Sequence, residues 1–208
     1  MTEQVIETPQ AKISEDTISF EDFVKNYEGQ PYEWHAGKVV KKVSNNPQHN
    51  FIVFFIAQLL SFYLSYEALG KILTDGVSMY ISDKKPARQP DVIVLLNENL
   101  DKIKATRIEG AADIVVEVIS PGSNTIDRGD KFDEYEKASV QEYWLIDPIR
   151  KSVSIYTLDD DGYYQQLGDT KTIISQLLPN FVLDTKILWQ DDLPTGPALV
   201  KLVETMLD

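Results

Sequence analysis

Two carboxylates of this chain sit in stretches that are otherwise apolar, and a lysine follows them. Pro90-Asp91-Val92-Ile93-Val94 puts Asp91 at the head of one such run, and Asp113-Ile114-Val115-Val116-Glu117-Val118-Ile119-Ser120-Pro121 puts Glu117 inside another. Asp127, Lys131 and Tyr135 come next, spaced by four. A carboxylate held away from water costs several kcal/mol unless a cation or a set of donors compensates it. Two of them with a lysine close by point to a divalent metal and a centre that handles phosphate.

The rest of the composition narrows the chemistry. There is no cysteine among the 208 residues, so a disulfide, a thiolate zinc site and a cysteine nucleophile are all excluded. A metal must then sit on oxygen or histidine, which favours hard cations such as Mg²⁺ or Mn²⁺. The formal charge of −13 opposes a nucleic-acid partner, because the overall field repels phosphate. A local basic strip acts at the Debye length of roughly 10 Å, and its candidates are Lys38, Lys41 and Lys42 with Lys84, Lys85 and Arg88. The same residues read equally well as solvated loops.

The elements that must position these residues follow from periodicity. Residues 1–17 are polar and aperiodic and read as a flexible leader, without the basic and apolar regions of a signal peptide. One domain over 18–208 and a cytoplasmic location are expected. Ser19 caps a short helix that ends near Tyr27-Glu28-Gly29, and Pro31 to Val43 resembles a hairpin turning at Ala36-Gly37, with Glu33 on its first strand. Gln48 to Leu69 is apolar at nearly every position. It reads as a buried helix and not a membrane span, because Gln58, Ser61 and Ser65 interrupt it and no basic flank orients it. Lys71 to Ile81, Pro90 to Leu96 and Ala112 to Ile119 are expected strands. Ile126 to Ser139 has the spacing of an amphipathic helix, and Glu142 to Ile146, Ser152 to Thr157 and Tyr163 to Leu167 are further strands. The tail is expected to add one short strand or helix.

The order helix, three strands, helix, strand resembles the core of the PD-(D/E)XK, restriction-endonuclease-like nucleases, and the match to the Uma-two family of bacterial endonucleases is closer. Its elements stand here as Glu33 with Gly37, His49 opening the long helix, Pro90-Asp91, Glu117-Val118-Ile119-Ser120-Pro121, Asp127 with Lys131 and Tyr135, and Glu142-Tyr143-Trp144-Leu145-Ile146-Asp147-Pro148. The resemblance covers about Phe20 to Leu167. It implies an α/β fold with a restriction-endonuclease-like core (αβββαβ): a mixed central sheet flanked by helices, with an N-terminal helix and β-hairpin and C-terminal β additions. It also implies a Mg²⁺- or Mn²⁺-dependent endonuclease acting on DNA, and dimers of the kind common in the superfamily.

The implied metal ligands are Asp91, Glu117 and the backbone carbonyl of Val118, with Glu33 placing a second ion. Where (D/E)XK expects lysine this chain has Ile119, so the catalytic lysine is expected at Lys131. Lys131 could alternatively form only an ion pair with Asp127, four residues earlier. His49 reads as a helix-start residue or as a phosphate or metal contact, Asp127 as the cap of its helix, and Tyr135 and Trp144 as core. A competing reading is a catalytically silent module of this fold that binds nucleic acid or a protein. A purely structural role leaves Glu117 unexplained.

Overall fold

The computed structural model describes residues 17–28, 30–35, 37–41, 46–74, 76–81, 87–120, 129–167 and 171–207. Four helices are α1 (Phe20–Tyr27), α2 (Pro47–Glu67), α3 (Lys131–Ala138) and α4 (Pro197–Leu207). The strands are β1 (Tyr32–His35), β2 (Lys38–Lys41), β3 (Gly70–Thr74), β4 (Ser78–Tyr80), β5 (Ala87–Arg88), β6 (Val92–Leu96) and β7 (Arg107–Glu109). They continue with β8 (Ile114–Val118), β9 (Glu142–Asp147), β10 (Ser152–Leu158), β11 (Tyr164–Leu167), β12 (Thr172–Ile174) and β13 (Val182–Asp184).

The central sheet has six strands in the order β11-β10-β9-β8-β6-β3, and α2, β3, β6, β8, α3 and β9 follow one another as the expected αβββαβ core. Only β8 and β9 run parallel within it, joined across the sheet by α3. A parallel pair needs such a crossover, whereas antiparallel neighbours close by short turns. Strands β6 and β8 read as unbroken apolar runs because both of their faces are covered. Val92, Val94, Val116 and Val118 pack with α2 and α4, and Ile93, Leu95, Val115 and Ile119 pack with Tyr135 of α3.

Helix α2 starts where Asn46 accepts a hydrogen bond from the His49 amide, with Pro47 in the first turn. It stops where Ala68 turns left-handed and returns its amide to the Leu64 carbonyl. Its 21 residues are long and apolar enough to cross a bilayer by length and composition, yet half of that apolar stretch is buried inside the protein. It packs on the sheet as a core helix, with the Tyr63 hydroxyl bonded to the Pro179 carbonyl.

Three sequence expectations need correction. The run Lys71 to Ile81 is not one strand: Gly76, at φ +96°, separates β3 in the central sheet from β4 in a second, five-stranded sheet ordered β2-β1-β5-β4-β7. That second sheet was expected only as a hairpin, because strands of two or three residues carry no periodic signal. The tail holds more than one element: β12 and β13 pair, a 3-10 helix spans Thr185–Trp189, and α4 lies against α2. The leader over 1–17 lies outside the described residues except for Thr17.

Candidate active site

The register of β6 and β8 pairs Val92 with Val116 and Ile93 with Val115, and one further step brings Asp91 opposite Glu117. Residues directly opposite share a face of the sheet, and like charges there are destabilising. Both acids are nonetheless buried, with exposures of 4% and 3%. Asp91 Oδ2 accepts a hydrogen bond from the Val118 amide at 2.8 Å, so the side chain takes the place of a rung in the ladder. Its Oδ1 lies 3.5 Å from His49 Nε2 at the start of α2. His49 Nδ1 is buried and has no hydrogen-bond partner among the described residues.

Helix α3 supplies the other half. Lys131 and Tyr135 are one turn apart on the side of α3 that faces the sheet, and both reach Glu117 Oε1: the ammonium at 2.9 Å and the tyrosine hydroxyl, as donor, at 2.8 Å. Lys131 is only 6% exposed. Burial raises the Tyr135 hydroxyl well above the usual tyrosine range, and the carboxylates of Glu117 and Glu33 push it the same way. It therefore remains a donor across the physiological range. Ile119, in the place where lysine is expected, is packed into the apolar cluster beneath α3 and makes no approach that charge would need.

A second buried cluster adjoins the first. Arg88, 3% exposed, donates from Nη1 to Glu33 Oε2 at 2.7 Å and forks onto Glu134, through Nε at 2.7 Å and Nη2 at 3.0 Å. Burial would lower its pKa, but the Glu33 and Glu134 carboxylates outweigh that and hold it above the ordinary arginine value. Glu33 Oε1 accepts the Gln89 amide at 3.0 Å. Both oxygens of Glu33 are thus held by protein donors. Arg88 belongs to this network and not to an exposed basic strip, which corrects the sequence reading. Of the other strip candidates, Lys38 and Lys41 lie exposed on β2, while Lys42, Lys84 and Lys85 fall outside the described residues.

Sequence analysis did not single out Glu134 or Gln89, and it gave Arg88 the wrong setting. The partners of Arg88 are 55 and 46 residues away along the chain, so no local spacing announces them. Asp127, expected as a cap or as the lysine's partner, lies outside the described residues. Trp144 is core, as its apolar setting suggested, with its indole N–H given to Glu142.

Within the described network Glu33, Asp91, Glu117 and Glu134 supply four carboxylates against the two cations Arg88 and Lys131. Among these described groups the carboxylates outnumber the cations by two when His49 is neutral. Among the described residues no three histidine, aspartate or glutamate side chains converge as a ready-made metal cage. Two carboxylates with water and substrate filling the remaining positions is the usual manner of holding Mg²⁺.

Residues 19–186 match the family model of Uma2, described as "putative restriction endonuclease". The chain belongs to the Uma2 family. The match spans every residue of the site and stops before α4. The crystal structure titled as a putative nuclease belonging to DUF820, from Anabaena variabilis ATCC 29413, is similar, with a TM-score of 0.69 and 18% identity over 83% of this chain and 97% of that one. At that identity the likeness establishes the restriction-endonuclease-like fold. No curated protein matches the chain. Family and fold together make this Uma2 protein a member of a nuclease lineage.

Proposed function

We propose that this chain is a metal-dependent endonuclease that hydrolyses DNA phosphodiester bonds at a centre formed by Asp91, Glu117 and Lys131. The carrying observation is the pair of buried acids in cross-strand register, with Lys131 directed at one of them. Two acids so placed repel one another. A divalent ion held between them would offset that repulsion.

Asp91 and Glu117 would hold Mg²⁺ or Mn²⁺. The Val118 carbonyl is a third oxygen, since the N–H and C=O of one strand residue project to the same edge and its N–H faces Asp91. When bound, such an ion lowers the pKa of a water and neutralises charge on the phosphoryl oxygens. Lys131, arriving from α3 in place of a lysine at 119, orients the attacking water and opposes charge developing on phosphate. An ammonium preorganised in a dry site is worth far more there than in bulk water. Tyr135 fixes the Glu117 carboxylate so that its remaining lone pairs stay directed, and His49 restrains Asp91 from the other side. Glu33, saturated by Arg88 and Gln89, acts on this reading through α3 and not as a ligand of a second ion.

The experiment is plasmid cleavage at low ionic strength. The purified chain should nick or linearise supercoiled DNA with Mg²⁺ or Mn²⁺, and neither with chelator nor with Ca²⁺, which is larger and activates water poorly. Lysines near the site that neutralise phosphates release counterions, so activity should fall with salt in proportion to the number of such contacts. Ile119 and the acidic charge favour one second reading, a silent binding module. Metal-dependent DNA binding without cleavage on duplex, single-stranded and branched substrates would establish that reading instead, with Glu117→Gln as the contamination control.

A further inference from the structure

Arg88 stands where the elements that build the candidate site meet. It closes β5, and three residues on the chain reaches Asp91 and enters β6. Strand β5 pairs with β1 at Ala87 and Trp34 and with β4 at Arg88 and Met79, which sets Glu33, the residue before Trp34, beside the guanidinium. Glu134 lies on α3 three residues after Lys131 and one before Tyr135. Arg88 therefore ties the strand that leads to Asp91, the strand of Glu33 and the helix of Lys131 to one buried point.

Helix α3 needs such a point. Its 8 residues make about two turns, and a helix that short takes its place from what it packs against. Phe132 meets Tyr156 and Tyr164 edge to face, and Tyr135 meets Tyr143 in the same way. Apolar burial holds the helix on the sheet but has no direction. The two-pronged bond to Glu134, through Nε at 2.7 Å and Nη2 at 3.0 Å, has one, because a planar guanidinium meets a carboxylate in a fixed orientation. On another side of the helix Glu136 accepts the Tyr164 amide at 2.7 Å, which anchors α3 to β11 and not to the strands of the acids.

We infer that Arg88 is a positioning residue: by holding Glu134 against Glu33 it fixes the rotation of α3 and so sets Lys131 and Tyr135 over Glu117. Its effect on turnover rests on the endonuclease reading, whereas its hold on the lysine rests on these contacts alone. Arginine suits the place because three bonds to two carboxylates need its planar, five-donor fork, which the compact ammonium of lysine lacks. Without the fork the acids of β1 and α3 face one another, and the helix shifts. A displacement of about 1 Å at the ammonium is enough to cost on the order of 10²-fold in rate.

Reductive methylation of lysines in the full chain, read by mass spectrometry, tests this without reference to cleavage. Lys137 on the same helix is the internal reference, its side chain 68% exposed against 8% for Lys131. In the wild type Lys131 should be modified far more slowly. Arg88→Lys keeps the charge and loses the fork, and in protein that circular dichroism shows to be folded it should raise the ratio of Lys131 to Lys137 modification about tenfold. Glu134→Gln keeps the shape and weakens the bond, so it should raise the ratio less, and it decides the matter if Arg88→Lys does not fold. Arg107→Gln, at an arginine of the same sheet paired with Glu28 and Glu109, should leave the ratio unchanged. In plasmid cleavage Arg88→Lys should lower kcat about 10–10²-fold with KM unchanged. Added to Lys131→Met it should lower turnover little further, because it acts through that lysine. An unchanged ratio in the folded Arg88 or Glu134 variant, an equal rise in Arg107→Gln, or losses that multiply in the double variant overturn the assignment. If the wild type cleaves nothing, the endonuclease reading fails, and the methylation ratio alone decides whether Arg88 holds the lysine.

Discussion

Glu117 and Glu142 are buried glutamates on neighbouring parallel strands of one sheet, and they are satisfied in different ways. Glu142 opens β9 opposite Ile114, at the far end of the pairing from Glu117. Its two oxygens accept the Trp144 indole N–H, the Ser175 hydroxyl and the amides of Gln176 and Leu177, all of them neutral donors and most from a single turn. Glu117 is met by an ammonium and a phenol carried on a separate helix. Backbone amides cannot leave their acid without unfolding the turn, whereas a lysine on a separate helix can release its carboxylate and turn to another anion such as a phosphate. Burial of an acid in an apolar strand is therefore no sign of chemistry by itself. The identity of the compensating group is.

The contrast breaks most visibly under isosteric change. Glu117→Gln should lower plasmid cleavage on the order of 10³-fold, and the urea midpoint should fall as well, because the buried Lys131 ammonium loses its carboxylate. A variant that cleaves normally would reduce Glu117 to the standing of Glu142. Next in size is Lys131→Met, with an expected loss of about 10²–10³ in turnover. It strands the Glu117 charge, so the metal-free protein should also weaken by roughly 3 kcal/mol. Mn²⁺ should then raise the melting temperature of this variant more than that of the wild type, because the ion restores the missing positive charge.

Glu142→Gln sharpens the other side. Its amide nitrogen must face donors, of which only the Ser175 hydroxyl can also accept, at a cost of about 2–4 kcal/mol, with cleavage per folded molecule unchanged. Burial, opposed by its donors, holds the Glu142 carboxyl above the usual glutamate range. An acid raised on folding stabilises the native state below its unfolded pKa, and that contribution is lost as pH rises through the folded value. The stability gap between wild type and Glu142→Gln should therefore narrow from acid toward neutral pH, as urea midpoints across a pH series will show; a gap that widens would contradict the assigned direction. The smallest effect on stability is expected for Tyr135→Phe, which removes one hydrogen bond to a charged acceptor, about 1.5–3 kcal/mol before relaxation. Cleavage should fall about tenfold through looser positioning of Glu117. Because Tyr135 is raised on folding, its contribution is present below about pH 10 and lost above it.

How far this contrast was legible in the sequence depends on range. Asp91 and Glu117 stand out because an acid interrupts a β-branched run, and α3 because Lys131 and Tyr135 repeat at helical spacing. The α2, β6, β8 and β9 core is legible for the same reason: long elements with continuous or periodic apolar patterns. Glu142 carries the same local signature as Glu117, yet its donors other than Trp144 lie more than 30 residues ahead around Ser175. Arg88, read as exposed, is sequestered by Glu33 and Glu134 through contacts no spacing rule encodes. The second sheet escaped because β4, β5 and β7 are too short to show a period.

One rung of the central ladder is a side chain: Asp91 closes the β6–β8 edge on the Val118 amide. Chemistry and architecture are thereby joined at one position. Replacement by alanine removes the acid proposed as a metal ligand and, with it, the rung that holds the strand ends together, whereas asparagine keeps a carbonyl oxygen for that amide. As the chain diverges over generations, Asp91 is then the acid least free to drift, even in lineages that have abandoned turnover. Loss of the proposed activity should register first at Lys131 or Glu117, and an aspartate retained at 91 is a poor witness that a relative has that activity.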